Sequence, residues 1–249
     1  MPDLVVQRAG GVLRLTIDRP EKRNALSDEV ATAICAELDD VADLRVVLLA
    51  STGDRVFCAG ADLAVMSGAE AHQGRGGVRR VAEAMRACPV PVVVRVQGLC
   101  LAGGVGVILG ADIVVAADSA AFGLPEIDRG LWPFMVSVLL AQHVSPKVAM
   151  DLMLTGRRVG AEEAAAIGLI SRVVPDVGLD AEVEALVGTL AAAAPLSVRE
   201  GKAAFLSLLD TGDTLEQMQQ RLTALTQTAD VAEGIAAFRE RRPPRWQGR

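Results

Sequence analysis

Between residues 98 and 112 the chain reads GLCLAGGVGVILGAD, with five glycines and no carboxylate, amine, imidazole or hydroxyl before Asp112. Apart from the Cys100 thiol, chemistry in this stretch has to come from the main chain. Gly103 and Gly104 follow a predicted strand and precede VGVILG, which reads as the start of a buried helix. Glycine there lets the backbone approach a ligand closely, and a helix N-terminus favours negative charge. A second turn of small residues, VFCAGADL (56–63), also follows a predicted strand. Two backbone N–H groups converging on one oxygen form an oxyanion hole. Such a hole stabilises the enolate of a deprotonated thioester, at about 3 kcal/mol of barrier per donor. A dinucleotide-binding turn fits poorly, because Gly104-x-Gly106 is followed by Leu109 where a third glycine should stand. A structural reading, in which small residues only let a helix pack on a sheet, stays open beside the catalytic one.

The elements that must position these turns are legible in outline. VLRLTID (12–18), RVVLLAS (45–51), PVVVRVQG (91–98), DIVVAA (112–117), AAFGL (120–124) and LISRVV (169–174) read as strands, with room for helices between the first of them. A helix should open at Ser27, with Asp28 and Glu29 in its first turn, and run through DEVATAICAELDDVADL with Val30, Ile34, Leu38 and Val41 on one face. The last third is mainly helical. The pattern is α/β or α+β with one layered core. SGAEAHQGRGG (67–77) is the expected mobile loop.

Composition narrows the partners. The 249 residues carry a net charge of −6 and no Tyr, which argues against nucleic acid and against an anionic membrane surface. Cys35, Cys58, Cys88 and Cys100 have no metal-ligand spacing, and His72 and His143 lie far apart, so no metal is expected. Free thiols without a targeting leader suggest a soluble protein of the reducing cytoplasm. The end of the chain, RERRPPRWQGR, holds five Arg against one Glu and reads by composition as a solvated, partly frayed tail.

DRPEKRNALS (18–27), FCAGADL (57–63), QGLCLAGG (97–104) and FGLPEI (122–127) resemble, in order and spacing, the signatures of the crotonase superfamily, the enoyl-CoA hydratases and isomerases. MLTGRRVGAEEAAAIGLISRVVP (153–175) and EGIAAFRERR (233–242) extend the likeness over nearly the whole chain. The resemblance implies a crotonase-like spiral of ββα units over residues 1–190 and a C-terminal helical trimerisation region over 191–249. It implies a homotrimer or dimer of trimers acting on an acyl-CoA thioester, with coenzyme A entering as part of the substrate and no separate cofactor. By the same resemblance, the N–H groups of Ala61 and Gly103 would hold the thioester oxygen. Lys22, Arg23, Ala25, Ala59, Asp62, Leu63 and Gly104 would line the CoA site, and Phe238 and Arg241 would reach the nucleotide phosphates across a subunit contact. Glu126 would be the proton carrier, its pKa raised by an apolar pocket. Without the resemblance it reads as a loop carboxylate paired with Arg129.

One departure bears on the reaction. Hydratases of the superfamily carry a first glutamate three residues after the oxyanion glycine, where this chain has Gly106. Water addition is shared between two glutamates, whereas moving a double bond needs one base, so a lone Glu126 fits an isomerase better. Asp62 or His72 could substitute for the lost group, Gly106 could enlarge the acyl pocket, and the chain could be a non-catalytic CoA binder. In GLWPFMVS (130–137), Trp132 and Phe134 are candidates for the acyl-pocket wall or for plain core aromatics.

Overall fold

Runs such as VVLLAS and VVVRV put apolar residues at successive positions, a pattern that needs cover on both faces of a sheet. The computed structural model, which describes residues 3–61, 76–129, 131–211 and 228–249, supplies that cover. The chain opens with β1 (Leu4–Ala9), β2 (Val12–Ile17) and α1 (Asp28–Asp39). Three units of two strands and a helix follow. They are β3 (Val46–Ser51), β4 (Val56–Cys58) and α2 (Gly77–Ala87), then β5 (Val92–Val96), β6 (Leu99–Leu101) and α3 (Gly103–Leu109). The third is β7 (Ile113–Ala117), β8 (Ala121–Gly123) and α4 (Phe134–His143), with a 3-10 turn, Pro125–Arg129, ahead of its helix. Then come α5 (Pro146–Thr155), β9 (Arg158–Gly160), α6 (Ala161–Ala166), β10 (Arg172–Val174), α7 (Leu179–Ala191), α8 (Pro195–Thr211) and α9 (Ala229–Glu240).

The first strand of each unit joins a six-stranded sheet of order β1-β2-β3-β5-β7-β10, and the second joins a four-stranded sheet of order β4-β6-β8-β9. This alternation is the spiral of ββα units. Within the larger sheet Leu13, Leu15, Val47, Leu49, Val92, Val94, Val114 and Ala116 face the main core. Their alternates Val12, Val46, Leu48, Val93, Val115 and Ala117 meet Leu179, Val183, Leu186 and Val187 of α7 on the opposite face. The period-2 geometry of a strand thus sends every other residue to a separate apolar layer. Among the described residues no single helix is long and apolar enough to cross a membrane.

Ser27 caps α1 as its type predicts, accepting from Val30 N at 3.3 Å. The helix stops at Asp39 rather than continuing through Leu44, since Asp39 and Asp40 set negative charge against the negative end of its dipole. Val41 and Leu44 are still buried, in the turn that follows. The basic tail is exposed but not frayed. Asp230, 1% exposed, accepts from the N–H groups of Gln247 (2.6 Å) and Gly248 (3.0 Å). Arg242 makes a two-pronged pair with Glu233 (2.6 and 3.0 Å), and Trp246 Nε1 donates to Ala192 O at 2.8 Å. The acidic residues of α9 that hold the tail lie well before it in sequence, which composition alone does not reveal.

Candidate active site

β4, β6 and β8 run parallel, with Val56 opposite Leu99 and Leu101 opposite Gly123, so their carboxyl ends lie side by side. The turns that leave them, 59–61, 102–103 and 124–126, are therefore neighbours. Ligands of open α/β sheets bind at this kind of edge.

Each turn is held by its own backbone. Gly60 has φ 101°, and a Cβ there would lie 2.9 Å from Ala102 Cβ and 3.0 Å from Gly103 N, so only glycine fits. Its N–H donates to Cys58 Sγ at 3.4 Å and its carbonyl accepts from Leu26 N at 2.8 Å. That bond belongs to a parallel bridge between Leu26 and Ala61, in which the N–H of Ala61 faces away from Leu26. Ala102 adopts φ 51° and ψ −125°, unusual for a residue with a side chain, while its N–H donates to Gly123 O at 2.9 Å. The strained turn delivers Gly103 as the first residue of α3, whose N–H has no acceptor within the helix. A Cβ on Gly103 would stand 3.3 Å from Ala61 N and 2.6 Å from Val78 Cγ2. The main chains of Ala61 and Gly103 thus come close together.

The segment around Lys22 is tied to the same place. Ala59 N donates to Arg23 O at 3.1 Å, and Ala25 N donates to Lys22 O at 3.1 Å. Arg23 and Asn24 both take left-handed φ, 52° and 51°. Asn24, 1% exposed, donates from Nδ2 to Thr52 O (2.9 Å) and Val56 O (2.8 Å) and accepts from Arg19 N at 3.0 Å. Buried Arg19 donates to Ala25 O at 2.5 Å and pairs with Asp3 at 2.8 Å. Lys22 and Arg23 are left exposed at the rim. Sequence reasoning missed Arg19 and Asn24; the signal was an asparagine, which tolerates left-handed φ, inside a charged run that leads into a buried one.

Glu126 sits in the 3-10 turn after β8, its Oε2 shut off from solvent and its carbonyl accepting from Leu131 N at 3.0 Å. Ile127 and Asp128 turn instead to the end of α5, where a Cβ on Gly156 would meet them at 3.2 and 3.5 Å. The side chain of Arg129 lies outside the described residues, as do Asp62, Leu63, His72, most of the 67–77 loop and the side chain of Phe238. Arg241 follows α9, exposed and at φ 53°, and nothing described brings it to the three turns. Trp132 packs partly buried against the main core, whereas Phe134 is 72% exposed and is no core aromatic.

Two glycines of α3 are sites of close approach. A Cβ on Gly104 would lie 2.6 Å from Cys58 O. At Gly106 it would lie 2.9 Å from Val78 Cγ1 and 3.1 Å from Val136 Cγ2. Gly106 therefore does not enlarge a pocket: valines from α2 and α4 already occupy the space a side chain would need. Burial pushes the Cys58 thiol up to about 11 and Cys100 well above its usual range, so both serve as packing rather than as nucleophiles. Among the described residues no group of three or more His, Cys, Asp or Glu could hold a metal ion.

Comparison with known proteins bears on this arrangement. Residues 7–249 match the family model described as enoyl-CoA hydratase/isomerase. A Thermus thermophilus protein with a provisional enoyl-CoA hydratase name is 39% identical over 98% of this chain and 100% of its own. The carnitinyl-CoA dehydratase of Escherichia coli K12 is 32% identical over 99% of this chain and 98% of its own. The crystal structure of an enoyl-CoA hydratase from Mycobacterium smegmatis superposes with a TM-score of 0.91 at 32% identity, covering 99% of both chains. With glycine turns at the ends of neighbouring strands, a half-buried glutamate on the next turn and these relatives over nearly its full length, the chain belongs to the enoyl-CoA hydratase/isomerase family, enzymes of crotonase fold that act on acyl-CoA.

Proposed function

We propose that the protein moves a carbon–carbon double bond in an enoyl-CoA through a thioester enolate, with Glu126 as the sole proton carrier. The thioester oxygen docks between the N–H groups of Ala61 and Gly103, which acidifies the α carbon. Glu126 removes a proton from one carbon and returns it to another, so its carboxyl ends the cycle as it began. The observation that carries this reading is Gly106, whose space is taken by Val78 and Val136, leaving Glu126 as the carboxylate on the described turns. Lys22 and Arg23 stand at the rim for the nucleotide phosphates, Ala25, Ala59 and Gly104 form the main-chain floor, and Trp132 walls the acyl chain. Asp62, Leu63, Phe238 and Arg241 complete the CoA contacts, the last two from a neighbouring subunit of a trimer or a dimer of trimers. A trimer is supported by the apolar surface of α4 and α5, where Phe134, Val138 and Leu154 are exposed. The four free thiols agree with a reducing cytoplasm.

Replacing Glu126 with Gln tests the assignment. The variant should bind CoA as the wild type does and lose about 10²- to 10⁴-fold in kcat, the range for a general acid–base; undiminished turnover would remove Glu126 from the chemistry. A second reading, addition or loss of water at the same enolate, is favoured by the names of relatives such as the carnitinyl-CoA dehydratase. It requires a second group to activate or release water.

A further inference from the structure

α8 brings two cations, Lys202 and Arg199, to the N-terminal ends of the parallel strands, where Arg45 precedes β3, and the three are treated differently. Lys202, 10% exposed, meets Asp112 at 2.7 Å and the carbonyls of Met85 and Val90, both at 3.2 Å, so its charge is fully answered. Arg199 donates from Nη2 to Ala42 O at 2.5 Å and Leu44 O at 3.4 Å, and has no carboxylate partner among the described residues. Arg45, just ahead of β3, shares a crevice with Arg199 that is otherwise lined by Leu44, Val90, Leu190, Ala193, Pro195 and Val198. Arg45 Nη1 and Arg199 Nε are both shut off from solvent and meet no acceptor among the described residues. Buried donors on two like charges in an apolar setting raise the energy of the fold unless an anion or other acceptor joins them. The crevice also takes in Pro195, the first residue of the 17-residue α8, so the positive end of that helix adds to the same field.

We infer that this crevice is a binding site for a small monovalent anion of chloride size, held between Arg45 Nη1 and Arg199 Nε. A compact monoanion matches two positive charges in a narrow apolar setting, where a phosphate ester would have to give up far more hydration. Occupancy ties the start of α8 to the start of β3 and so fastens the C-terminal helices to the spiral. The site is remote in the fold from the three glycine and glutamate turns, and its test does not depend on the reaction.

The probe is bromide in a crystal of the wild-type protein, located by anomalous scattering, together with thermal melts in sodium chloride against sodium gluconate at matched ionic strength. The expected result is a bromide peak within hydrogen-bond distance of both guanidinium groups, and a Tm that rises with the logarithm of chloride once the site fills. In Arg45→Gln, which removes a guanidinium that makes no hydrogen bond among the described residues, the chloride-dependent rise should vanish. Arg45→Lys keeps the charge and serves should the Gln variant not fold; it should need several-fold more chloride for the same rise. No bromide at the crevice, or a chloride response unchanged in these variants, would overturn the inference.

Discussion

Ala102 holds φ at 51° and ψ at −125°, a conformation that costs a residue with a side chain about 1–3 kcal/mol, and it does so next to a glycine at φ 101°. In the proposed mechanism this strain serves to aim the N–H of Gly103. Ala102→Gly should therefore leave Tm unchanged or raised, unlike most Ala→Gly changes, while kcat falls because Gly103 is less firmly aimed. A melt that drops by several degrees would show that the turn is not strained in solution. Cys58 lies two residues before Gly60 and carries the opposite expectation for reactivity. With its thiol pushed up to about 11 by burial, it is almost wholly protonated at pH 8. Iodoacetamide should label half-buried Cys35 well before Cys58 or Cys100 in the native protein, as read by peptide mass analysis. Glu126 shows the limit of reading residues singly: FGLPEI is an unremarkable loop until strand register sets it beside the other two turns.

Helices α2, α3 and α4 meet at Gly103 and Gly106 through one residue each from the outer pair, Val78 and Val136. Overpacking such a contact costs about 1–3 kcal/mol. Gly106→Ala should accordingly lower Tm, and Val78→Ala should restore part of the loss when combined with it, because the added methyl then has somewhere to go. Strict additivity of the two melts would contradict the contact. Gly106→Glu alone should fail to create hydratase activity for the same reason. At this scale the sequence was most legible where burial is total. The runs that became β3, β5 and β7 could be read because both faces are covered. β1 could not, since Leu4 is its sole fully buried residue and it lies at a sheet edge. The short strands β4 and β6 are nearly hidden by the glycine turns they support. The end of α1 was overestimated because Val41 and Leu44 keep the helical apolar pattern going after the helix has stopped.

Across the whole molecule, the C-terminal tail is bound to its own helix rather than loose, and that binding has a pH signature. Hydrogen bonds from Arg242 and from Arg245 N hold Glu233 down at about 2, below the ordinary Glu value of 4.5. A depressed carboxylate contributes stability that is full above its unfolded pKa and is lost as pH falls through the folded one. The tail should stay clamped from neutral pH to about 5 and loosen between roughly 4.5 and 2. Hydrogen exchange at Arg245, whose N–H donates to Glu233 at 2.6 Å, should accelerate over that window beyond the intrinsic rate; exchange already fast at pH 7 would contradict the clamp. Composition pointed to fraying here because the partners, Asp230 and Glu233, are brought back by the fold. The overall spiral was legible through the family resemblance carried by the motifs taken as a set; α7, which covers the large sheet, falls within residues 1–190, and Lys202 and Arg199 of α8 reach the starts of the strands from residues 191–249.

The measurement closest to the central claim is mass-resolved product analysis of the purified protein with short and medium 2-enoyl-CoA and 3-enoyl-CoA thioesters. The proposed mechanism, with Glu126 as proton carrier and Ala61 and Gly103 as N–H donors, predicts conversion of 3-enoyl to 2-enoyl at constant mass. Gain of one water by the 2-enoyl substrates, with the 3-enoyl substrates left untouched, would contradict it.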